Sequence, residues 1–190
     1  NRQSIQNVGE ILTVLAGYQI QCRVYMVSLL EIQQKIMAEA PNKLWVIHFR
    51  RAMIKLASMI AEQLNIPALI SGESVGQVAS QTLSNIRATA DAADRPILRP
   101  LAGLNKEDII RIAEKIGTYE ISIEPYDDCC SFFVPIHPET KADLETVRKI
   151  EGNIDFGDMF DVALNDAAIK TIEHPDYIKK TVHSLEKVND

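Results

Sequence analysis

The distribution of apolar residues along the chain predicts helices and strands in alternation. Helical spacing, with apolar residues three or four apart, is found over residues 4–16, 29–40, 43–64, 105–116 and 140–151. Strand patterns are found over residues 20–28, 67–71 and 96–101. We expect a further helix directly after Gly72 and a helical stretch over about 155–190. Strands that alternate with helices favour an α/β domain with a parallel sheet.

Two segments follow predicted strands at the place where parallel sheets usually bind ligands, beyond the carboxyl ends of the strands. The first is Ser71-Gly72-Glu73-Ser74, and the second is the loop after residues 96–101. Gly72 would let a ligand approach the backbone, and free amide groups at the start of a helix bind anions such as phosphate. The alternative is an ordinary strand-to-helix turn with a serine cap, and spacing alone does not decide between them.

The composition narrows the class of protein. Apolar residues make up 46% of the chain and charged residues 24%, and no apolar run approaches the roughly 18 residues of a membrane span. A net charge of −6 is unusual for a protein that holds nucleic acid by phosphate neutralisation alone. The first residues do not resemble a signal peptide, and three cysteines do not make a disulfide framework. We therefore expect a reducing, cytoplasmic compartment.

The glycines exclude the common phosphate-binding loops. No two of the eight glycines are adjacent or two positions apart. The sequence therefore contains no G-x-G-x-x-G fingerprint and no Gly-Gly loop, and none of its glycines leads into a Walker G-K-[ST] motif.

Basic residues concentrate in two places and could hold phosphate groups. Arg50 and Arg51 lie in the predicted helix over 43–64. A 25-residue span contains five more, namely Arg87, Arg95, Arg99, Lys106 and Arg111. The alternative is a solvated charged surface.

Asp127-Asp128-Cys129-Cys130 lies between prolines and predicts a reactive loop. A cysteine near basic groups can act as a nucleophile or sulfur carrier, although the acidic pair disfavours the thiolate. The alternative is an incidental cysteine pair. We predict no metal site because the loop offers no C-x-x-C spacing. Cys22 is expected in the core and His48 on a helix surface.

Three segments, in this order, resemble the tRNA 4-thiouridine sulfurtransferases, which also supply sulfur for the thiamine thiazole. They are GESVGQVASQT, LRPLAGLNKEDIIRIAEKIGTYEISI and PYDDCCSFFVP, and the resemblance covers about residues 4–170. It implies a Rossmann-like parallel sheet flanked by helices, of the PP-loop ATP pyrophosphatase (adenine nucleotide alpha-hydrolase-like) type, over residues 1–152, with a C-terminal helical extension over 153–190. The family's phosphate loop, S-G-G-x-D-S, and its RNA-binding module precede the matched part. We therefore expect a catalytic domain that is incomplete at its N-terminus.

The resemblance also implies the chemistry. ATP, with Mg²⁺, would activate a tRNA uridine as an adenylate, and a cysteine persulfide supplied by a cysteine desulfurase would deliver the sulfur. Cys130 is favoured over Cys129 as the persulfide site, and the one-residue ambiguity stays open. Lys106 matches a family lysine suited to stabilise the transferring phosphoryl group.

The resemblance assigns nucleotide-binding residues as well. Gly72, Ser74 and Gln77 match the nucleotide-facing turn, in which Ser71 and Glu73 also lie. Either Arg50 or Arg51 would reach phosphate. A homodimer is also considered, with the helix over 43–64 as a surface that could serve it.

Two rival interpretations remain. One is a non-catalytic remnant or interaction domain of the same fold, which the missing phosphate loop favours. The other, an unrelated α/β ATP-binding protein, would require the GESVGQVASQT match to be accidental. For the isolated chain we expect weak ATP binding and no thiolation activity.

Overall fold

The computed structural model describes residues 2–19, 21–125 and 138–173. The described residues divide into two units. One contains the chain up to residue 26 together with 107–125 and 168–173, and the other contains 27–106 and 138–167. The predicted boundary between residues 152 and 153 stays a prediction.

The first three strands each lie between helices, as the apolar pattern predicts, and the later part of the chain has four helices in succession. In chain order they are α1 (Arg2–Gln19), β1 (Gln21–Met26), α2 (Leu30–Glu39), α3 (Trp45–Gln63), β2 (Leu69–Ile70), α4 (Leu83–Ala90), β3 (Ile97–Leu98), α5 (Lys106–Ile116), α6 (Tyr119–Ser122), α7 (Leu144–Asn153), α8 (Met159–Asn165) and β4 (Ala168–Glu173), with 3₁₀ turns at Asn42–Leu44 and Ala79–Gln81.

In the first unit, β1 pairs antiparallel with β4, and α1 packs against both strands. Cys22 lies opposite Ile172 and is half-buried rather than in the core. Of the helical stretch predicted over about 155–190, the part in α8 is correct, the part in β4 is wrong, and residues 174–190 lie outside the described residues. The reason for the strand is that β4 carries three β-branched residues, Ile169, Thr171 and Ile172, and β1 offers it a hydrogen-bonding edge.

In the second unit, α3 is the central helix of the core. Its buried residues Phe49, Ala52 and Leu56 pack with Ile32 and Ile36 of α2 and with residues of α8. The apolar face that could have served a homodimer is thus largely used inside this unit. His48, predicted on the surface, is 1% exposed, because it lies on the face of α3 that also buries Ile47, Arg51 and Ala52.

The strands β2 and β3 form a parallel pair, with Leu69 opposite Ile97 and Ile70 opposite Leu98. Among the described residues, this pair alone represents the predicted parallel sheet, so the fold is mixed α/β and rich in helix. Both strands end at the same edge, which places the loops that follow them side by side.

No helix begins at Gly72, contrary to the expectation from the sequence. Residues 71–78 form an irregular loop, and α4 begins only at Leu83, where the Thr82 hydroxyl accepts a hydrogen bond from the amide of Asn85 at 3.2 Å. Two features work against an earlier helix. Gly76 has a φ of +79°, and Ser71 and Ser74 use their hydroxyls in contacts within and beyond the loop.

The helix predicted over residues 105–116 is confirmed as α5, and it ends directly before Gly117. Gly117 has a φ of +79°, and its amide donates to the carbonyl of Glu114 at 3.1 Å. The amide of Thr118 donates to the carbonyl of Ala113 at 2.9 Å, which closes the helix in the way that a C-terminal glycine allows.

Candidate functional site

The two loops that follow the parallel strands are joined by hydrogen bonds. The amide of Ser71 donates to the carbonyl of Leu98 at 2.9 Å, and the amide of Val75 donates to the carbonyl of Ala102 at 3.2 Å. The hydroxyl of Ser74 donates to the carbonyl of Leu104 at 2.9 Å. The structure therefore brings together the two segments that the sequence singles out, at the carboxyl edge of β2 and β3.

Glu73 lies at the centre of this edge, with a side chain that is 5% exposed. Its carboxylate accepts hydrogen bonds from the Ser71 hydroxyl at 2.9 Å, from Arg99 Nε at 2.7 Å and from Arg50 Nη2. Burial by itself would raise the pKa of Glu73. The hydrogen bonds from Arg99 and Ser71 and the charge of Arg50 outweigh it, so the pKa lies below its ordinary value and Glu73 is ionised.

The two arginines reach Glu73 from different elements. Arg50 comes from α3 and also donates to the Ser80 hydroxyl at 3.5 Å, while Arg99 follows β3 directly and donates to the Ile97 carbonyl at 3.2 Å. Arg50 Nε and Arg99 Nη2 are buried and have no acceptor among the described residues. Counting one charge each, Arg50 and Arg99 exceed Glu73 by one positive charge.

The amide groups of the 71–78 loop are largely engaged within the protein. The Ser74 amide donates to Gln81 Oε1 at 3.4 Å, and the Gly76 amide donates to the Gln81 carbonyl at 3.0 Å. The Gln77 amide donates to the Ser74 carbonyl at 3.4 Å, and the Gln77 side chain is exposed. Since no helix starts here, the positive groups of this edge are the arginines rather than free helix-terminal amides.

Arg51 is held in a different place. It is 4% exposed, its Nε donates to both carboxylate oxygens of Glu151 at 3.0 Å, and its Nη1 donates to Asp91 at 3.2 Å and to the Ala88 carbonyl. Two carboxylates and a carbonyl thus engage this guanidinium, which joins α3 to α4 and α7. Of the two arginines considered for phosphate, Arg50 is the one at the carboxyl edge.

Lys106 is exposed and is the first residue of α5. Leu104, whose carbonyl accepts the Ser74 hydroxyl, lies two residues before it. A lysine at this end of a helix opposes the helix dipole, whereas Glu107 and Asp108 in the same turn favour it. The helix dipole therefore does not explain Lys106.

Cys129 and Cys130 lie outside the described residues. Residues 139–142 are held by Asn85, a buried residue that the sequence did not single out. Asn85 Nδ2 donates to the Glu139 carbonyl at 2.7 Å, and Asn85 Oδ1 accepts from the Ala142 amide at 3.0 Å. A polar side chain among the apolar positions of α4 was the available signal. For Arg99, the second partner of Glu73, the sequence indicates only membership of a group of basic residues.

Within residues 2–19, 21–125 and 138–173, no three histidine, cysteine, aspartate or glutamate side chains gather in a way that could hold a metal ion. The same part of the chain contains no helix with the length and apolar character needed to cross a membrane.

Comparison with known proteins identifies the family. The model of the family described as "Thiamine biosynthesis protein (ThiI)" matches residues 1–156. The chain belongs to the ThiI family. This agrees with the resemblance seen in its GESVGQVASQT and cysteine-loop segments.

Curated members of the ThiI family are similar over most of this chain. A probable tRNA sulfurtransferase of Caldanaerobacter subterraneus subsp. tengcongensis is 45% identical over 82% of the chain, which corresponds to 41% of that relative. One of Clostridium kluyveri is 41% identical over 88% of the chain and 44% of the relative. The chain thus spans less than half the length of these relatives.

A solved structure, that of a 4-thiouridine synthetase in complex with RNA and with bound ATP, is 37% identical. It superposes with a TM-score of 0.84 over 89% of this chain and 45% of that protein. At this identity and score the ThiI-family chain shares the fold of the corresponding part of the synthetase.

Proposed function

We propose that the full-length protein to which this chain belongs is an ATP-dependent tRNA sulfurtransferase that forms 4-thiouridine and supplies sulfur for the thiamine thiazole. The observation that carries the proposal is the cluster of Arg50, Arg99 and Glu73 at the carboxyl edge of β2 and β3, in a chain of the ThiI family. Support comes from the solved 4-thiouridine synthetase, which holds RNA and ATP.

The proposed reaction has three steps. The uracil O4 attacks the α-phosphorus of ATP, which forms an adenylate and releases pyrophosphate, and Mg²⁺ arrives with ATP as part of the substrate. The outer sulfur of a cysteine persulfide then attacks C4 and displaces AMP. A thiol reductant cleaves the sulfur–sulfur bond, so that the outer sulfur stays on the base. Activation is needed because oxygen at C4 is a poor leaving group.

The described residues would serve the first step. Ser71, Gly72, Ser74 and Gln77 would form the turn that faces the nucleotide. Arg50 would bind phosphate and Lys106 would stabilise the charge that develops on the transferring phosphoryl group. Gly72 fits a close approach because nothing lies within 4 Å of the position where a Cβ would be.

Cys130 would carry the persulfide in the second step, with Cys129 as the neighbouring alternative. A cysteine desulfurase would load the sulfur and tRNA would receive it, in a reaction that we propose takes place in the cytoplasm. Residues upstream of the matched segment would contribute the phosphate loop and the RNA-binding module.

A non-catalytic domain of the same fold is the second candidate, because the sequence contains no Gly-Gly phosphate loop. The two candidates differ in one assay. Full-length protein with ATP, tRNA, a cysteine desulfurase and labelled cysteine should place labelled sulfur in tRNA. Absence of both labelled tRNA and tRNA-dependent pyrophosphate release would favour the non-catalytic domain.

Variants of the two cysteines locate the sulfur site. Cys130→Ser should abolish sulfur transfer while tRNA-dependent pyrophosphate release persists. Cys129→Ser is the matched control and should retain sulfur transfer. Mass spectrometry that finds the persulfide only on Cys129 would reverse the assignment.

A further inference from the structure

The Arg50–Glu73–Arg99 cluster contains more hydrogen-bond donors than the protein uses. Two guanidinium groups share one buried carboxylate, and Arg50 Nε and Arg99 Nη2 are buried without an acceptor among the described residues. A buried donor without an acceptor is costly. The cluster therefore has room for a further anionic acceptor.

The arginine of the neighbouring network provides an internal comparison. Arg51 meets two carboxylates, those of Asp91 and Glu151, and Asp91 also pairs with Arg148, so the two carboxylates balance the charges of the two arginines. Arg50 and Arg99 together meet only Glu73, which leaves a surplus of one positive charge. Stabilisation of the fold accounts for the first arrangement but does not require the surplus charge in the second.

We propose that Arg50 and Arg99 form a two-pronged binding site for a phosphate oxyanion, and that Glu73 is the positioning residue that orients both guanidinium groups. This deepens the proposed function and rests on it, since ATP supplies the phosphate. Guanidinium groups suit this task because their planar forks match phosphate oxygens. Glu73 itself would repel phosphate, and its carboxylate faces the arginines instead.

The pyrophosphate portion of ATP is the phosphate that fits best. The site lies beyond the carboxyl ends of β2 and β3, where nucleotides bind in parallel sheets. A surplus of one charge, on a chain whose net charge is −6, suits a compact oxyanion better than an extended RNA backbone.

Binding of inorganic pyrophosphate to the full-length protein tests whether the guanidinium groups bind phosphate. Arg99→Met should weaken the binding measured by calorimetry by about 10- to 100-fold, since it removes hydrogen bonds to a charged group. The KM for ATP in tRNA-dependent pyrophosphate release should rise with it. Arg23→Met removes an exposed guanidinium from β1 and should change neither quantity. Unchanged pyrophosphate affinity in Arg99→Met would overturn the proposal.

Glu73→Gln separates positioning from simple charge. It raises the net charge of the cluster from +1 to +2, so electrostatics alone would tighten pyrophosphate binding. If Glu73 positions the arginines, the variant binds pyrophosphate about 10-fold more weakly despite the added charge. Tighter or unchanged binding in a folded Glu73→Gln protein would refute the positioning role.

Two further measurements keep the test decisive. Arg99→Lys retains the charge and loses the planar fork, so it should bind pyrophosphate more weakly than the wild type even if Glu73→Gln fails to fold. Loss of tRNA affinity with unchanged pyrophosphate affinity would reassign the site to RNA and overturn the proposal. Wild-type protein that releases no pyrophosphate with tRNA contradicts the proposed function itself. Normal release that is insensitive to Arg99→Met contradicts this inference alone.

Discussion

Arg50 and Arg51 are adjacent on α3, yet their guanidinium groups bind carboxylates of different elements. Arg50 contacts Glu73 in the loop after β2, and Arg51 contacts Glu151 of α7, 100 residues along the chain. Successive residues of a helix point about 100° apart, so one helix can serve both places. The sequence showed the pair as one basic feature, and the fold separates it into two.

Arg51 should matter more for stability than Arg50. Arg51→Met leaves Glu151 without its arginine and Asp91 with only the exposed Arg148, so we expect the free energy of unfolding to fall by about 3–5 kcal/mol in urea titrations. Arg50→Met removes a half-buried partner of Glu73, which keeps Arg99, and should cost clearly less. Lys149→Met, on the exposed side of α7, is the control and should stay within about 0.5 kcal/mol of wild type. Equal losses in both arginine variants would contradict this separation of roles.

Asn85 should be essential for holding residues 139–142 against α4. It is 0% exposed, and Asn85→Ala leaves the Glu139 carbonyl and the Ala142 amide without their partner. We expect a loss of about 2–4 kcal/mol in the free energy of unfolding and faster amide hydrogen exchange at Ala142. Asn153→Ala, at the exposed end of α7, should change neither. Unaltered exchange at Ala142 in Asn85→Ala would show that the contact is dispensable.

Acid should destabilise the fold through His48. Burial lowers the pKa of His48. The negative charge of Glu151 partly offsets this lowering, and the positive charge of Arg51 adds to it. Neither ring nitrogen has a hydrogen-bond partner among the described residues. The unfolded state therefore takes up a proton near its ordinary pKa, about 6.5, before the folded state does. Stability should fall as the pH drops below about 6.5 and level off once the folded pKa is passed.

Urea titrations at intervals between pH 8 and pH 5 measure this effect. His48→Leu removes the titrating group, so its stability should vary less with pH over this range. The carboxylates of Glu73 and Asp91, whose pKa values lie below their ordinary range, contribute their own loss only at lower pH. An identical pH profile in wild type and His48→Leu would exclude His48 as the cause.

Gly72 and Gly76 should respond differently to alanine. Gly76 has a φ of +79°, so Gly76→Ala should cost about 1–2 kcal/mol of stability through backbone strain. Gly72 has open space at its Cβ position, so Gly72→Ala should leave the unfolding midpoint unchanged. In the full-length protein, however, Gly72→Ala should raise the KM for ATP, because the methyl group occupies the proposed approach of the nucleotide. A wild-type KM in Gly72→Ala would remove Gly72 from the proposed site.

The isolated 190-residue chain should show no thiolation activity and only weak affinity for ATP. Its sequence supplies the arginine cluster but contains no Gly-Gly phosphate loop. Calorimetry with ATP and the labelled-sulfur assay measure both properties directly. Micromolar ATP affinity of the isolated chain would contradict the expectation.

The sequence predicted well what depends on local pattern. The long amphipathic helix α3, the glycine that ends α5 and the order of helices and strands follow from spacing and backbone preferences. The sequence-based prediction failed where contacts with a segment distant in the chain determine the local structure. Residues 168–173 form a strand because β1 lies beside them, and His48 is buried because α3 packs on more than one side.

The candidate site shows the same division. The two loops could be placed at one sheet edge because parallel strands end together. That Glu73 binds Arg50 and Arg99 depends on contacts across 23 and 26 residues, and no local pattern encodes such distances. A helix was predicted to start at Gly72 because a glycine that follows a strand is common in turns that lead from a strand into a helix. The actual loop uses its amides internally instead.

The shortness of β2 and β3 has a thermodynamic consequence. With two residues each, the strands share few backbone hydrogen bonds, and the pair is closed at its ends by the bonds from the Leu69 amide to the Pro96 carbonyl and from the Ser71 amide to the Leu98 carbonyl. The segments proposed to recognise phosphate are thus the same segments that keep the strands paired. Occupancy of the site and cohesion of the sheet are therefore linked equilibria, and any ligand that joins Arg50 to Arg99 also ties α3 to the end of β3.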